Sequence, residues 1–292
     1  MTPPAGPDFI GIGAQRSGTT WIYRALNQHP QIAFGARKEI EFFNDARSFY
    51  IKGGVSNYAK GVDWYRDQLQ LQATQRCGDI SPDYMWDSAA SARIHEHVPD
   101  VKIIASLRHP VDRAWSQFMA ASHYIHIADT FEEALSKHPE LLERGLYFAQ
   151  LKPYFDHFPS TRIKIILLDD IIQSPQSALS ELHGFLDVER LPAESLEPTN
   201  TSGDAPRHSL TFRLLSRTRR LADTSWGARL WTSRGFAGIK NSALKALDRF
   251  HPREKSPQYL TQEIRERHAP YFKEDVAQLE SLIQRDLSCW KL

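Results

Sequence analysis

The sequence predicts an α/β domain, a central parallel sheet flanked by helices, with a P-loop-like turn after its first strand. Three observations carry that prediction. Apolar Phe9, Ile10 and Ile12 read as a short buried strand, which turns through Ala14 to Gly18 into a helix bearing Trp21, Ile22, Ala25 and Leu26 at helical spacing. Val101-Lys-Ile-Ile-Ala-Ser-Leu107 is a second buried strand, and it runs into Arg108-His-Pro110, where the proline marks a helix start. Arg162-Ile-Lys-Ile-Ile-Leu-Leu168 is a third apolar run, followed by Ser174-Pro175 and a helix through Leu186. At 292 residues the chain suits one domain, 1–292, able to bury a sizeable core.

The first segment is the one from which function is read. A strand, a Gly-rich turn and a helix in that order aim backbone N–H groups at an anion, with the helix dipole behind them. Arg16 adds a permanent charge with a planar fork of donors, and Ser17, Thr19 and Thr20 add hydroxyls. A nucleoside-triphosphate loop reads G-x-x-x-x-G-K-[ST], with the Lys on the β/γ-phosphates. Gly13 and Gly18 supply the two glycines, but Thr19 stands where that Lys belongs and the charge has moved back to Arg16. A kinase built on this loop lacks its main γ-phosphate contact. The plainer alternative, glycines that serve only tight packing, gives Arg16 no reason to be there.

In chain order, the first helix ends near Asn27-Gln-His-Pro30, and Gln31 to Phe34 forms a second short strand. In Arg37-Lys-Glu-Ile-Glu-Phe-Phe-Asn44, Phe42 and Phe43 anchor a turn that presents Glu39 beside Lys38. A carboxylate at a cleft edge with a cation next to it suits a general base, and the same residues also fit an exposed charge pair. Tyr58 to Leu71 reads as a helix. A strand at Arg76 to Ile80 leads into Ser81-Pro-Asp-Tyr84. Its Asp79 is either a turn cap or a reserve base. Ser88 to His97 is an amphipathic helix. Arg108 then falls at the carboxyl end of a strand, where α/β folds bind ligands, although a salt bridge is the other reading. Ser116, about two turns into the next helix, reaches the same ligand if that helix leans over the site. Arg113 fits an ion pair with Asp112 or another acid.

Phe131 to Leu142 and Leu146 to Phe158 read as two further helices. Asp169-Asp170 invites a metal reading, but the Ser174-Pro175 helix start after it favours turn and capping roles, and no metal site is assigned. The stretch 207–255 carries twelve Lys or Arg against Asp223, Asp248 and Glu254, a local charge of about +9. It reads as two amphipathic helices with a basic face: a solvated surface, a lid gathering an anionic acceptor, or a peripheral contact for anionic lipid. Val276 to Ile283 closes the chain as a helix before a packing Trp290. A net charge of +1 argues against nucleic-acid binding by the whole molecule. Two cysteines argue for a reducing compartment, and no signal peptide or ~20-residue apolar run is read, so the expectation is a cytoplasmic protein.

Ala14-Gln-Arg-Ser-Gly-Thr-Thr20 resembles the 5′-phosphosulfate loop of sulfotransferases that use 3′-phosphoadenosine 5′-phosphosulfate (PAPS). The chain is similar to bacterial members and, more distantly, to heparan-sulfate sulfotransferases. Those usually carry Lys at the position of Arg16, whereas protein-tyrosine sulfotransferases carry Arg. The resemblance implies Arg16, Ser17, Gly18, Thr19 and Thr20 on the phosphosulfate, and Arg108 with Ser116 on the 3′-phosphate. Lys38-Glu-Ile-Glu-Phe-Phe43 is similar to the segment bearing the catalytic Glu, with Glu39 rather than Glu41 at the matching position. Arg253 and Lys255 fall where relatives have a basic loop over the nucleotide phosphates. Asp79-Ile80 stands in place of a Glu-Lys pair, so that Lys is absent, and Asn200 to Ala205 offers no aromatic for the adenine. The activity implied by the resemblance is sulfuryl transfer, without a metal, to a hydroxyl of a saccharide, lipid or small metabolite, with Glu39 as base. An ATP-dependent small-molecule kinase and a non-catalytic nucleotide-binding protein are the alternatives.

Overall fold

A computed structural model of the chain describes residues 6–35, 38–45, 56–69, 75–124, 127–192 and 259–290. Five strands, β1 (Phe9–Gly13), β2 (Ile32–Phe34), β3 (Arg76–Ile80), β4 (Lys102–Leu107) and β5 (Ile163–Leu167), form one parallel sheet in the order β2-β3-β1-β4-β5. β1 lies in the middle, and all five of its residues are buried.

Alternate side chains of these strands feed opposite layers, as the two-residue period of a strand requires. Ile10, Ile12, Ile103 and Ala105 pack with Ile94 of α3 (Ala90–His97), Leu151 and Tyr154 of α7 (Tyr147–His157), and Val276 and Leu279 of α11 (Lys273–Ile283). Phe9, Ile104 and Ile166 pack on the other face with Ile22, Ala25 and Leu26 of α1 (Thr19–Leu26) and with Leu179 and Leu182 of α9 (Pro175–Phe185). Gly78 permits this stacking, because a Cβ there would lie 2.1 Å from the Phe9 ring. A third cluster joins α4 (Pro110–Tyr124) to α5 (Phe131–Lys137) and α6 (Glu140–Glu143) through Trp115, Phe118, Phe131 and Leu141.

Several expectations are corrected in detail. The helix expected over Phe131 to Leu142 is broken into α5 and α6, because Pro139 drives His138 to φ −137° and ψ 70°. The helix expected from Tyr58 is a 3₁₀ turn at Asn57–Lys60, interrupted by Gly61 at φ 83°, and only then α2 (Val62–Gln68). Asp169 and Asp170, expected in turn and capping roles, sit in the first turn of α8 (Leu168–Gln173), with Asp170 accepting from the Leu167 N–H. Beyond α9 the described chain resumes with α10 (Gln262–His268), so the basic 207–255 stretch with Arg253 and Lys255 lies outside the described residues. Among the described residues no helix is long and apolar enough to cross a membrane.

Candidate active site

The turn leaving β1 is stitched to the neighbouring strand: the Ala14 N–H donates to the Ser106 carbonyl at 2.7 Å, and the Ser106 hydroxyl donates to the Ser17 carbonyl. Within it Arg16 adopts φ 69° and Gly18 φ 95°, both left-handed. At Gly18 the requirement is doubly strict, since a Cβ would also lie 2.9 Å from Leu168 Cδ1. Arg16 has no such exemption, and a non-glycine residue held in this region costs about 1–3 kcal/mol, a strain typical of ligand clamps. Its Nε donates to Ser116 Oγ at 3.1 Å, across 100 positions of sequence. Helix α4 therefore does lean over the turn, and Ser116 is only 2% exposed there.

Arg108 stands at the carboxyl end of β4, with its carbonyl accepting from the Tyr147 hydroxyl at 2.9 Å. Its guanidinium lies 3.9 Å from Asp112 Oδ2, too far for a hydrogen bond. Asp112 is engaged elsewhere, taking a bidentate pair from Arg265 of α10 at 2.8 and 2.9 Å. Burial pushes the Arg108 pKa below the usual arginine range; Asp112 opposes this and the nearby Arg16 charge adds to it. Two guanidiniums thus lie within electrostatic reach of each other, and among the described residues neither has a carboxylate hydrogen-bonded to it. That donor set fits an anion carrying more than one phosphate.

Glu39 arrives on the turn between β2 and α2. Glu39 and Glu41 adopt φ 64° and 51°. The turn is pegged along its length: Glu39 N–H to the Ile80 carbonyl at 3.2 Å, Glu41 N–H to Ser81 Oγ at 3.0 Å, and Phe42 N–H to the Tyr84 hydroxyl at 2.9 Å. Phe42 and Phe43 are fully buried, and Phe42 stacks on Tyr65 at 4.7 Å. The Glu39 side chain is left 42% exposed. Lys38 Nζ donates to Glu39 Oε1 at 2.5 Å and to Thr20 Oγ1 at 3.3 Å, tying the carboxylate to the first turn of α1.

Not every anticipated residue faces solvent. Ser17 is fully buried beside Tyr147, and Thr19 is buried, whereas Thr20 is half-buried against Lys38. Asp79 is 2% exposed and lies behind the Glu39 turn. Arg113 does not reach Asp112 by hydrogen bond; it is buried and donates to Gln117 Oε1 and to the Leu141 carbonyl. Asp170 accepts from the Leu167 N–H and, bidentately, from Arg285, which hold its pKa down, while Asp169 takes the Trp290 indole N–H. Among the described residues no group of three or more His, Cys, Asp or Glu could hold a metal ion.

Sequence reasoning missed three supports. Gln15 donates to Asp83, which forms a buried ion pair with Arg144 at 2.6 Å beneath the loop. Arg265 holds Asp112, and Tyr147 steadies Arg108. Arg144, just after α6, and Arg265, on α10, look like any surface arginine in the sequence; only the three-dimensional arrangement singles them out.

Residues 6–207 match the model of the sulfotransferase domain. The chain is 25% identical over 287 residues to the membrane-associated sulfotransferase kil1 of Dictyostelium discoideum, covering 66% of this chain and 59% of that protein. It is 28% identical over 204 residues to the human bifunctional heparan sulfate N-deacetylase/N-sulfotransferase 3, covering 62% of this chain and 22% of that protein. The chain therefore spans less than two thirds of either relative. A sulfotransferase from Alicyclobacillus acidocaldarius shares the fold, with a TM-score of 0.69 at 24% identity over 98% of this chain and 99% of that one.

Proposed function

The chain belongs to the sulfotransferase domain family, and from that premise we propose that it transfers the sulfuryl group of PAPS to a hydroxyl of a saccharide, lipid or small metabolite. The observation that carries this reading is the 3.1 Å hydrogen bond between Arg16 and Ser116, which joins the two phosphate-binding segments at the carboxyl end of the sheet. Arg108 and Ser116 hold the 3′-phosphate and so select PAPS over ATP. Arg16 and the N–H groups of the turn face the 5′-phosphosulfate.

In the reaction the acceptor oxygen forms a bond to sulfur as the bond from sulfur to the 5′-phosphate oxygen breaks. The acceptor proton passes to Glu39, and the electron pair of the broken bond leaves with 3′-phosphoadenosine 5′-phosphate (PAP). Charge building on the departing phosphate is taken by Arg16 and the turn, which are already in place and need no reorganisation. Lys38, bonded to both Glu39 and Thr20, holds the carboxylate toward the helix that carries the loop.

Calorimetry with PAP and with ATP, together with turnover of ³⁵S-labelled PAPS against a panel of hydroxyl acceptors, tests this. Tight PAP binding, weak ATP binding and label transfer support it. Preferential, magnesium-dependent ATP binding sinks it in favour of a kinase, and PAP binding without turnover on any acceptor or water points to a non-catalytic binding protein.

A further inference from the structure

We propose that Asp79 is the positioning residue for Glu39, acting through the hydroxyls of Ser81 and Tyr84; this rests on the reading of Glu39 as the base. The geometry is that of a hub. Asp79 Oδ1 accepts from Ser81 Oγ at 2.8 Å, and Oδ2 accepts from the Tyr84 hydroxyl at 2.7 Å and the Tyr65 hydroxyl at 3.1 Å. The Ile40 N–H is a fourth donor to the same carboxylate. An ionised carboxylate offers about four lone-pair sites, so these four donors fill it.

The consequence lies one bond further out. A hydroxyl has one proton, and those of Ser81 and Tyr84 are committed to Asp79, which leaves their lone pairs to face the other way. There they meet the Glu41 N–H at 3.0 Å and the Phe42 N–H at 2.9 Å. With the direct bond to Ile40, a single carboxylate orients the acceptors or is the acceptor for three successive N–H groups, those of residues 40, 41 and 42. These residues come directly after Glu39, in a turn where Glu39 and Glu41 both hold a left-handed backbone that relaxes once its pegs are lost. Tyr65 adds a second brace, because its ring stacks on Phe42 while its hydroxyl reaches Asp79.

Burial pushes the Asp79 pKa up, and its four hydrogen bonds pull against that rise. Being closed off by that hub, Asp79 has no line to an acceptor hydroxyl. Its part in the reaction is to fix where the Glu39 carboxylate stands.

Asp79→Asn keeps the size and halves the acceptor capacity, so two of the donors lose their partner. Three measurements read the result: amide hydrogen exchange over residues 38–45, PAP affinity by calorimetry, and release of sulfate from ³⁵S-labelled PAPS with water as the acceptor. We expect exchange over 38–45 to become about tenfold faster. Sulfate release should fall about 10- to 100-fold, the scale of an ångström-level misplacement, with PAP affinity unchanged. In a Glu39→Gln background the same substitution should cost nothing further, because Asp79 acts through Glu39. Unchanged exchange, wild-type sulfate release, or a further loss in that background would each overturn the assignment. Should Asp79→Asn fail to fold, Ser81→Ala and Tyr84→Phe each remove one peg and are read in the same way. A wild-type protein that neither binds PAP nor consumes PAPS defeats the sulfotransferase reading itself, and the exchange measurement still decides whether Asp79 holds the turn.

Discussion

At the amino end of the sheet a cleft of about 480 Å³ is lined by Asp8, Arg76, Asp100, Lys102, Arg162 and Asp187. Each of these charges has an opposite partner: Asp8 with Arg76 at 3.1 Å, Lys102 with Asp187 at 2.5 Å, Arg162 with Asp100 at 3.3 Å. At the carboxyl end Arg16 donates to a neutral serine, and Arg108 stands beyond hydrogen-bond reach of an aspartate already taken by Arg265. Both ends are polar. A cavity with charged walls does not mark a site by itself; the proposed site rests on cations held in place without a hydrogen-bonded counter-charge. Backbone strain does not follow this division: the left-handed residues Arg16, Glu39 and Glu41 belong to turns of the carboxyl end, and the left-handed Asp187 lines the amino-end cleft.

The contrast can be tested from its strongest term downward. Glu39→Gln should lower turnover by roughly 10²–10⁴-fold while leaving PAP affinity intact, which steady-state kinetics and calorimetry together read. Arg108→Ala should weaken PAP binding about 10- to 100-fold through loss of a charge-assisted contact, and wild-type affinity would erase the distinction between the two ends. A third test uses pH. Burial, reinforced by the neighbouring His29, lowers the His183 pKa from 6.5 to about 4. The unfolded chain then binds more protons than the folded one between those values. Its stabilising contribution is complete above about pH 6.5 and drains away as the pH falls toward 4. Thermal melts should show the loss between pH 7 and 5, and His183→Phe should flatten it without altering PAP affinity at pH 7. The smallest effect is expected for Arg76→Ala, which breaks an exposed amino-end pair and should cost about 0–1 kcal/mol in chemical denaturation with PAP binding unaffected.

How far these features can be read from the sequence depends on how local their causes are. The β1 turn is legible because its glycines, its arginine and its helix start are consecutive. Arg108 is legible because a continuous apolar strand ends at it and Pro110 begins the next helix. Pro139 is equally visible, yet the apolar periodicity of Phe131 to Leu142 masks the break it imposes. Asp79 is chemically notable in the sequence and its work is not, since that work depends on hydroxyls of Tyr65 and Tyr84 brought in by separate elements. Lys38 is visible as a neighbour of Glu39, but nothing in the chain places Thr20, eighteen positions earlier, against it. Arg265 is the extreme case, pairing with an aspartate 153 positions away with no local signal at all.

The same long-range pairing has a consequence for where this protein can be divided. The family match stops at residue 207, yet α10, α11 and the residues after them grip the part before it at separate points. Arg265 clasps Asp112, Asp275 receives the Phe148 and Ala149 N–H groups that open α7, and Arg285 clasps Asp170. A fragment cut at the family boundary would carry both segments proposed to bind phosphate and the Glu39 turn, and still leave an aspartate loose beside Arg108, a helix start uncapped and the α8 corner unfastened. We infer that the unit that folds is larger than the unit that is recognised.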